Sequence, residues 1–193
     1  MRNRLAWVVV AGLVLLTGCS NRSDAPAPAT NARTPVPTSA ASAAEPPPVA
    51  ATPQEHPASL DSRVTVTGVR IGHHPGFDRV VYEFGGSGTP GWRVQYADRA
   101  VQNGSGKVLA VGGQSVLEVQ ILGSAYPWDS GATPYDGPNP ATDPSAPGIA
   151  GVYGTAVFEG TTQSFIGVNA DRPKFSVTGL QNPVRVVIDI ASP

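Results

Sequence analysis

The side chains here best equipped for catalysis are two adjacent histidines, His73 and His74, in the run HHPGFD. An imidazole held by a carboxylate can activate a serine hydroxyl, and Asp61 and Asp78 lie nearby in sequence. No G-x-S-x-G run presents a serine, however. Adjacent residues in an extended segment point to opposite faces, so one site does not receive both rings. The expectation is a turn with one ring packed and the other solvated. Zinc takes three or four ligands. This pair and a lone cysteine, Cys19, do not supply them, so neither a metal nor a cofactor is expected. The run NGSGK (Asn103–Lys107) fails as a phosphate loop, because Val101 stands where its first glycine belongs and Val108 where Ser or Thr belongs. Asp129, Asp136 and Asp143 lack the calcium-loop spacing and read as solvated acids.

Binding chemistry is better represented. Aromatic rings offer large rigid contact area with a polar tip, suited to sugar faces. Tyr126, Trp128, Tyr135 and Tyr153 lie in or beside one long segment, and packing beneath that segment is their alternative role. Arg79, Arg93 and Arg185 could meet carboxylates of a ligand through paired hydrogen bonds; their alternative is a solvated strand face. Charge is nearly balanced, with a formal net of −1, and no basic block supports a nucleic-acid partner.

Cys19 has a different task. It follows an apolar run, Leu5–Leu16, preceded by Arg2 and Arg4. The run is too short for a spanning helix, which needs about 20 residues, and has the pattern of an export signal. Its end, LTGC (Leu16–Cys19), resembles the lipobox of bacterial lipoproteins. That resemblance implies removal of residues 1–18, lipidation of Cys19, and a protein held on the outer face of the cytoplasmic membrane. Two or more acyl chains anchor stably where one does not. With no second cysteine, no intramolecular disulfide forms.

These residues must be positioned by the rest of the chain. Residues 19–59 hold the acylated cysteine and an Ala/Pro-rich stretch whose only large aliphatics are Val36 and Val49. It reads as a disordered tether, unable to bury enough apolar surface to offset ordering entropy. Residues 60–193 make one domain. Gly and Pro interrupt them every few residues, and the segments between alternate and favour Val, Ile, Thr and aromatics. This pattern predicts an all-β sandwich of about eight short strands: 63–72, 79–84, 91–97, 115–122, 154–160, 163–168, 174–180 and 184–190. Gly68 sits where parity switches between Val64/Val66 and Val69/Ile71, as at a bulge. Residues 124–151, with six prolines and no alternation, form a long loop that is either functional or disordered.

RVVYEF (Arg79–Phe84) and RVVIDI (Arg185–Ile190) form a weak repeat. Two similar half-domains packed face to face would produce it; so would any two buried strands with one polar face. As antiparallel neighbours centred on Val81 and Val187, they would set Arg79 opposite Asp189 and Glu83 opposite Arg185.

The blocks VRIGHHPGFDRVVYEFGGSGTPGWRVQYAD (Val69–Asp98), FEGTTQSFIGV (Phe158–Val168), RPKFSV (Arg172–Val177) and NPVRVVIDI (Asn182–Ile190) resemble the AMIN-like domain of actinobacterial lipoproteins. The resemblance spans nearly all of residues 63–191. It implies a β-sandwich of two similar sheets. It also implies a non-catalytic role in the envelope, bound to peptidoglycan or to a wall-associated protein. Two other functions remain open: an envelope-acting hydrolase or transferase using His73 or His74, and a pure protein scaffold working through an exposed strand edge. Sequence does not give the oligomeric state.

Overall fold

Alternating burial explains why these segments become strands. The computed structural model describes residues 48–192. The export signal, Cys19 and the tether as far as residue 47 lie outside them. Along β7 (Ser115–Leu122), burial alternates strictly, with Ser115, Leu117, Val119 and Ile121 inside. In β4 (Gly91–Ala97), Trp92 and Val94 are buried, Tyr96 packs against the same core, and Arg93 points out. Both strands have the bounds their periodicity predicts.

A five-stranded sheet has the order β1 (Gln54–His56), β4, β7, β9 (Thr161–Val168), β8 (Ile149–Phe158). A four-stranded sheet has the order β10 (Phe175–Leu180), β11 (Arg185–Ala191), β3 (Phe77–Ser87), β2 (Arg63–His74). A ribbon of β5 (Ala100–Val101) and β6 (Val108–Leu109) completes the strands among the described residues. The two large sheets enclose one core that includes Val80, Tyr82, Val119, Ile166, Phe175 and Ile188, each at most 2% exposed. Each such aliphatic or aromatic side chain contributes roughly 1.5–3 kcal/mol by leaving water. The fold is an all-β sandwich.

The parity switch in β2 is a bulge between Val66 and Gly68. One extra residue returns Val69 and Ile71 to the face used by Val64 and Val66. β8 and β9 form the expected hairpin, but β8 begins at Ile149, inside the stretch read as loop. Glu159 and Gly160 link them, both at positive φ (46° and 73°). Two such residues give the turn whose twist matches its flanking strands.

The repeated strands β3 and β11 are antiparallel neighbours in one sheet, with Val81 opposite Val187 and Arg79 opposite Asp189. The repeat is therefore not one copy in each of two facing half-domains. Arg79 grips Asp189 through two bonds, 2.6 and 2.9 Å. Glu83 lies opposite Arg185 as the register requires, yet its ion pair is with Arg70 at 2.6 Å. Gly68, opposite Glu83 on the other side, has no side chain to keep the carboxylate from reaching along β2.

Two straps close the sides of the sandwich. The first is residues 48–59, which composition assigns to the tether. There β1 pairs with β4, the Ala50 carbonyl accepts from Phe175 N at 2.7 Å, and the Gln54 amide bridges two groups of the edge strand β10. It donates to the Phe175 carbonyl at 2.8 Å and accepts from Val177 N at 3.0 Å. Composition misses this because hydrogen bonds hold the segment, with little apolar burial. The second strap is residues 124–148, on the side where β2 and β8 are the sheet edges.

Candidate functional site

The second strap carries the aromatic residues singled out by the sequence. It leaves β7 at Ser124, whose hydroxyl accepts from both Thr162 N and Thr162 Oγ1, at 3.1 and 2.9 Å. A single helical turn, α1 (Pro127–Ser130), follows. Pro127 at its start has no N–H to waste, and Gly131 ends it in the left-handed region. Thr65 of β2 fixes this turn, donating to the Ala125 carbonyl at 2.9 Å and meeting Ser130 Oγ at 2.7 Å. Tyr135 N then donates to the Val66 carbonyl at 2.9 Å.

Crossing to the other sheet, the strap pairs with β8. Ala141 and Val152 exchange backbone bonds of 2.9 and 2.8 Å. The Asn139 amide donates to the Gly154 carbonyl and accepts from Gly154 N, at 3.0 and 3.1 Å. At its far end, Gly148 N donates at 2.7 Å to Asp78, a carboxylate only 1% exposed. The strap thus satisfies part of two sheet edges that would otherwise offer open pairing groups.

Between strap and sheets lies a cleft of about 670 Å³, within the size range of small-ligand sites. Its walls include Val66 and Val69 of β2, Val152 and Val157 of β8, and Pro127, Pro134 and Pro138 of the strap. Tyr126, Trp128 and Tyr135 stand on its rim. None of the lining side chains is charged. Tyr126 and Trp128 stack, with ring centres 4.6 Å apart and planes 5° from parallel. They are 39% and 77% exposed, so packing beneath the loop is not what holds Trp128.

The polar groups of the cleft floor are engaged with one another. Tyr82 Oη meets Ser164 Oγ at 2.9 Å, and Ser164 donates to the Tyr153 carbonyl at 3.0 Å. Burial raises the Tyr82 pKa well above the usual tyrosine value, outweighing the opposing effect of Ser164; the phenol stays protonated. The Gln163 side chain is held by Val101, Asn103 and Glu118.

The remaining sequence-selected residues lie elsewhere. Tyr153 faces outward opposite Phe165, and its hydroxyl accepts from Gly112 N at 3.0 Å. Arg79 is paired with Asp189. Arg93 reaches Glu55 at 3.4 Å with both side chains exposed, and Arg185 donates to the Pro183 carbonyl at 3.3 Å. His73 Nδ1 lies 2.7 Å from Asp78 Oδ1, and His74 stacks on Phe77 at 4.9 Å. Neither histidine lines the cleft. Among the described residues, no three His, Cys, Asp or Glu side chains cluster to hold a metal, and no helix is long and apolar enough to cross a membrane. Sequence reasoning missed the aliphatic walls on β2 and β8, whose alternation marks them only as core.

The AMIN-like domain family model matches residues 64–192. No curated protein and no solved structure matches the chain. The chain belongs to the AMIN-like domain family.

Proposed function

We propose that this AMIN-like protein is a non-catalytic binding module of the cell envelope. On this reading it is exported, anchored through Cys19, and uses the cleft beneath the second strap to hold peptidoglycan or a protein associated with it. The observation that carries the proposal is the exposed Tyr126–Trp128 stack at the mouth of an uncharged cleft. A large exposed aromatic surface costs solubility and marks contact sites. Family membership favours an envelope setting, and the resemblance of LTGC to a lipobox is what supports an anchor at Cys19.

Co-sedimentation of the purified chain with cell-wall sacculi, native and stripped of protein, tests the binding. Pelleting that falls at least ~10-fold in affinity for Trp128→Ala is expected, the loss typical of an aromatic anchor. No pelleting with either preparation rejects the proposal. Fatty-acid labelling that survives Cys19→Ser rejects the anchor.

A further inference from the structure

We infer that the cleft takes an uncharged, extended, proline-rich stretch of polypeptide, with the Tyr126–Trp128 stack as its platform. This rests on the cleft being the binding surface and specifies the chemistry of its occupant.

The first observation is charge. A cleft with no charged side chain in its lining gives nothing back for desolvating a carboxylate or an amine, a cost of several kcal/mol per ion. The arginines able to pair with acids lie outside it. An uncharged occupant is the complementary one.

The second observation separates peptide from sugar. Each buried sugar hydroxyl wants both a donor and an acceptor, and leaving one unpaired costs about 1–3 kcal/mol. Acceptors of the floor are already engaged: Ser164 Oγ meets Tyr82 Oη, Asn139 Oδ1 accepts from Gly154 N, and Gln163 Oε1 accepts from Asn103 N. The exposed stacked rings carry the Trp128 indole N–H, a donor, and the Tyr126 hydroxyl, which donates or accepts. An indole N–H donates only. Proline has carbonyls and no N–H, so a proline-rich strand asks for donors alone. It also arrives in the polyproline II form, with its carbonyls unpaired and little entropy left to lose. Aromatic-lined grooves accept its rings between their own. Val66, Val69, Pro134 and Pro138 add apolar surface for those rings.

The test is a titration of the full chain with a blocked proline decamer, followed by tryptophan emission. A glycine–serine decamer and an N-acetylglucosamine oligomer serve as comparisons. Of the three tryptophans, Trp7 lies outside the described residues and Trp92 is only 8% exposed; the Trp128→Ala chain supplies the emission of those two as background, and the difference reports contact at Trp128. The expected result is a saturable blue shift with the proline decamer alone, little changed by salt because no charges meet. Trp128→Ala should weaken binding at least ~10-fold. Trp128→Phe, which keeps a ring and loses the donor, should weaken it by about 3- to 10-fold.

Two outcomes overturn the inference: saturable binding of the sugar oligomer without the proline decamer, and proline binding indifferent to Trp128→Ala. If neither probe binds while sacculi still pellet through Trp128, the proline chemistry fails and the envelope proposal stands. If the proline decamer binds and sacculi do not pellet, the envelope proposal fails and the cleft chemistry stands.

Discussion

The two straps do the same structural job by different means. Each runs from an edge of one sheet to an edge of the other. The first, residues 48–59, lies flat: a three-residue strand pairs with β4, and one glutamine amide stands in for a peptide group against β10. His56 stacks on Trp92 at 4.6 Å, sealing that side. The second, residues 124–148, is longer and proline-rich, and it touches the edges only at intervals. Between its contacts at Thr65, Val66, Val152 and Gly154 it stands away from the sheets, and the cleft is the space it leaves. Backbone pairing and the Gln54 amide close one edge; a helical turn and widely spaced contacts leave the other open.

Removing the first strap should have the largest effect. A chain starting at residue 60 loses β1, Gln54 and the ring over Trp92. Relative to one starting at residue 48, the first of the described residues, it should be less stable by about 3–5 kcal/mol, summing lost hydrogen bonds and ring contact. Equal urea midpoints would show that this strap contributes nothing.

The foot of the second strap comes next. Asp78→Ala removes the acceptor for buried Gly148 N and the partner of His73. A loss of about 2–3 kcal/mol is expected, as for a hydrogen bond to a buried carboxylate, together with faster exchange of the Gly148 amide. Unchanged exchange there would place the anchor elsewhere.

Trp128→Ala sharpens the contrast in the other direction. Its ring is 77% exposed, so unfolding should move by no more than about 0.5 kcal/mol, even as ligand binding weakens at least ~10-fold. A large destabilisation would make the ring a structural prop and remove it from the site.

The smallest effect belongs to Asp143, exposed on the second strap. Hydrogen bonds from Ser145, chiefly through its hydroxyl and then its N–H, hold the carboxyl below the ordinary Asp pKa. A carboxyl with a depressed folded pKa adds stability above its unfolded value, and loses it as pH falls through the folded one. The turn should therefore be firm at neutral pH and loosen only below the usual Asp range. Titration of the Ser145 amide shift by NMR tests this, and a midpoint at the ordinary Asp value would refute it.

Much of this protein was legible in its residues because local pattern and tertiary role agree. The alternation in 91–97 and 115–122 fixed those strands to the residue. The parity switch at Gly68 located the bulge, and aligning Val81 with Val187 gave the register of the two RVV segments, although only Arg79 and Asp189 of the expected charge pairs meet. Tyr126, Trp128 and Tyr135 stood out as large rings in a proline-rich stretch. Tyr153 stood out equally and faces the other way, since its direction depends on the phase of β8 and that strand starts five residues before its expected first residue. Gln54–His56 carries no apolar period, so nothing local announces a strand that exists because β4 and β10 have edges to fill.

Sequence by itself determined the strand class, the phases of β4 and β7, and the rings of the second strap that have no core role. Side-chain period and turn chemistry act over a few residues, so a local pattern carries them. Only the tertiary structure decided which edges the straps close, that the strap's rings face aliphatic walls on two sheets, and that the floor's polar groups satisfy one another. Each depends on groups about 60 to 120 residues apart being brought within hydrogen-bond reach, and no local pattern encodes such a distance.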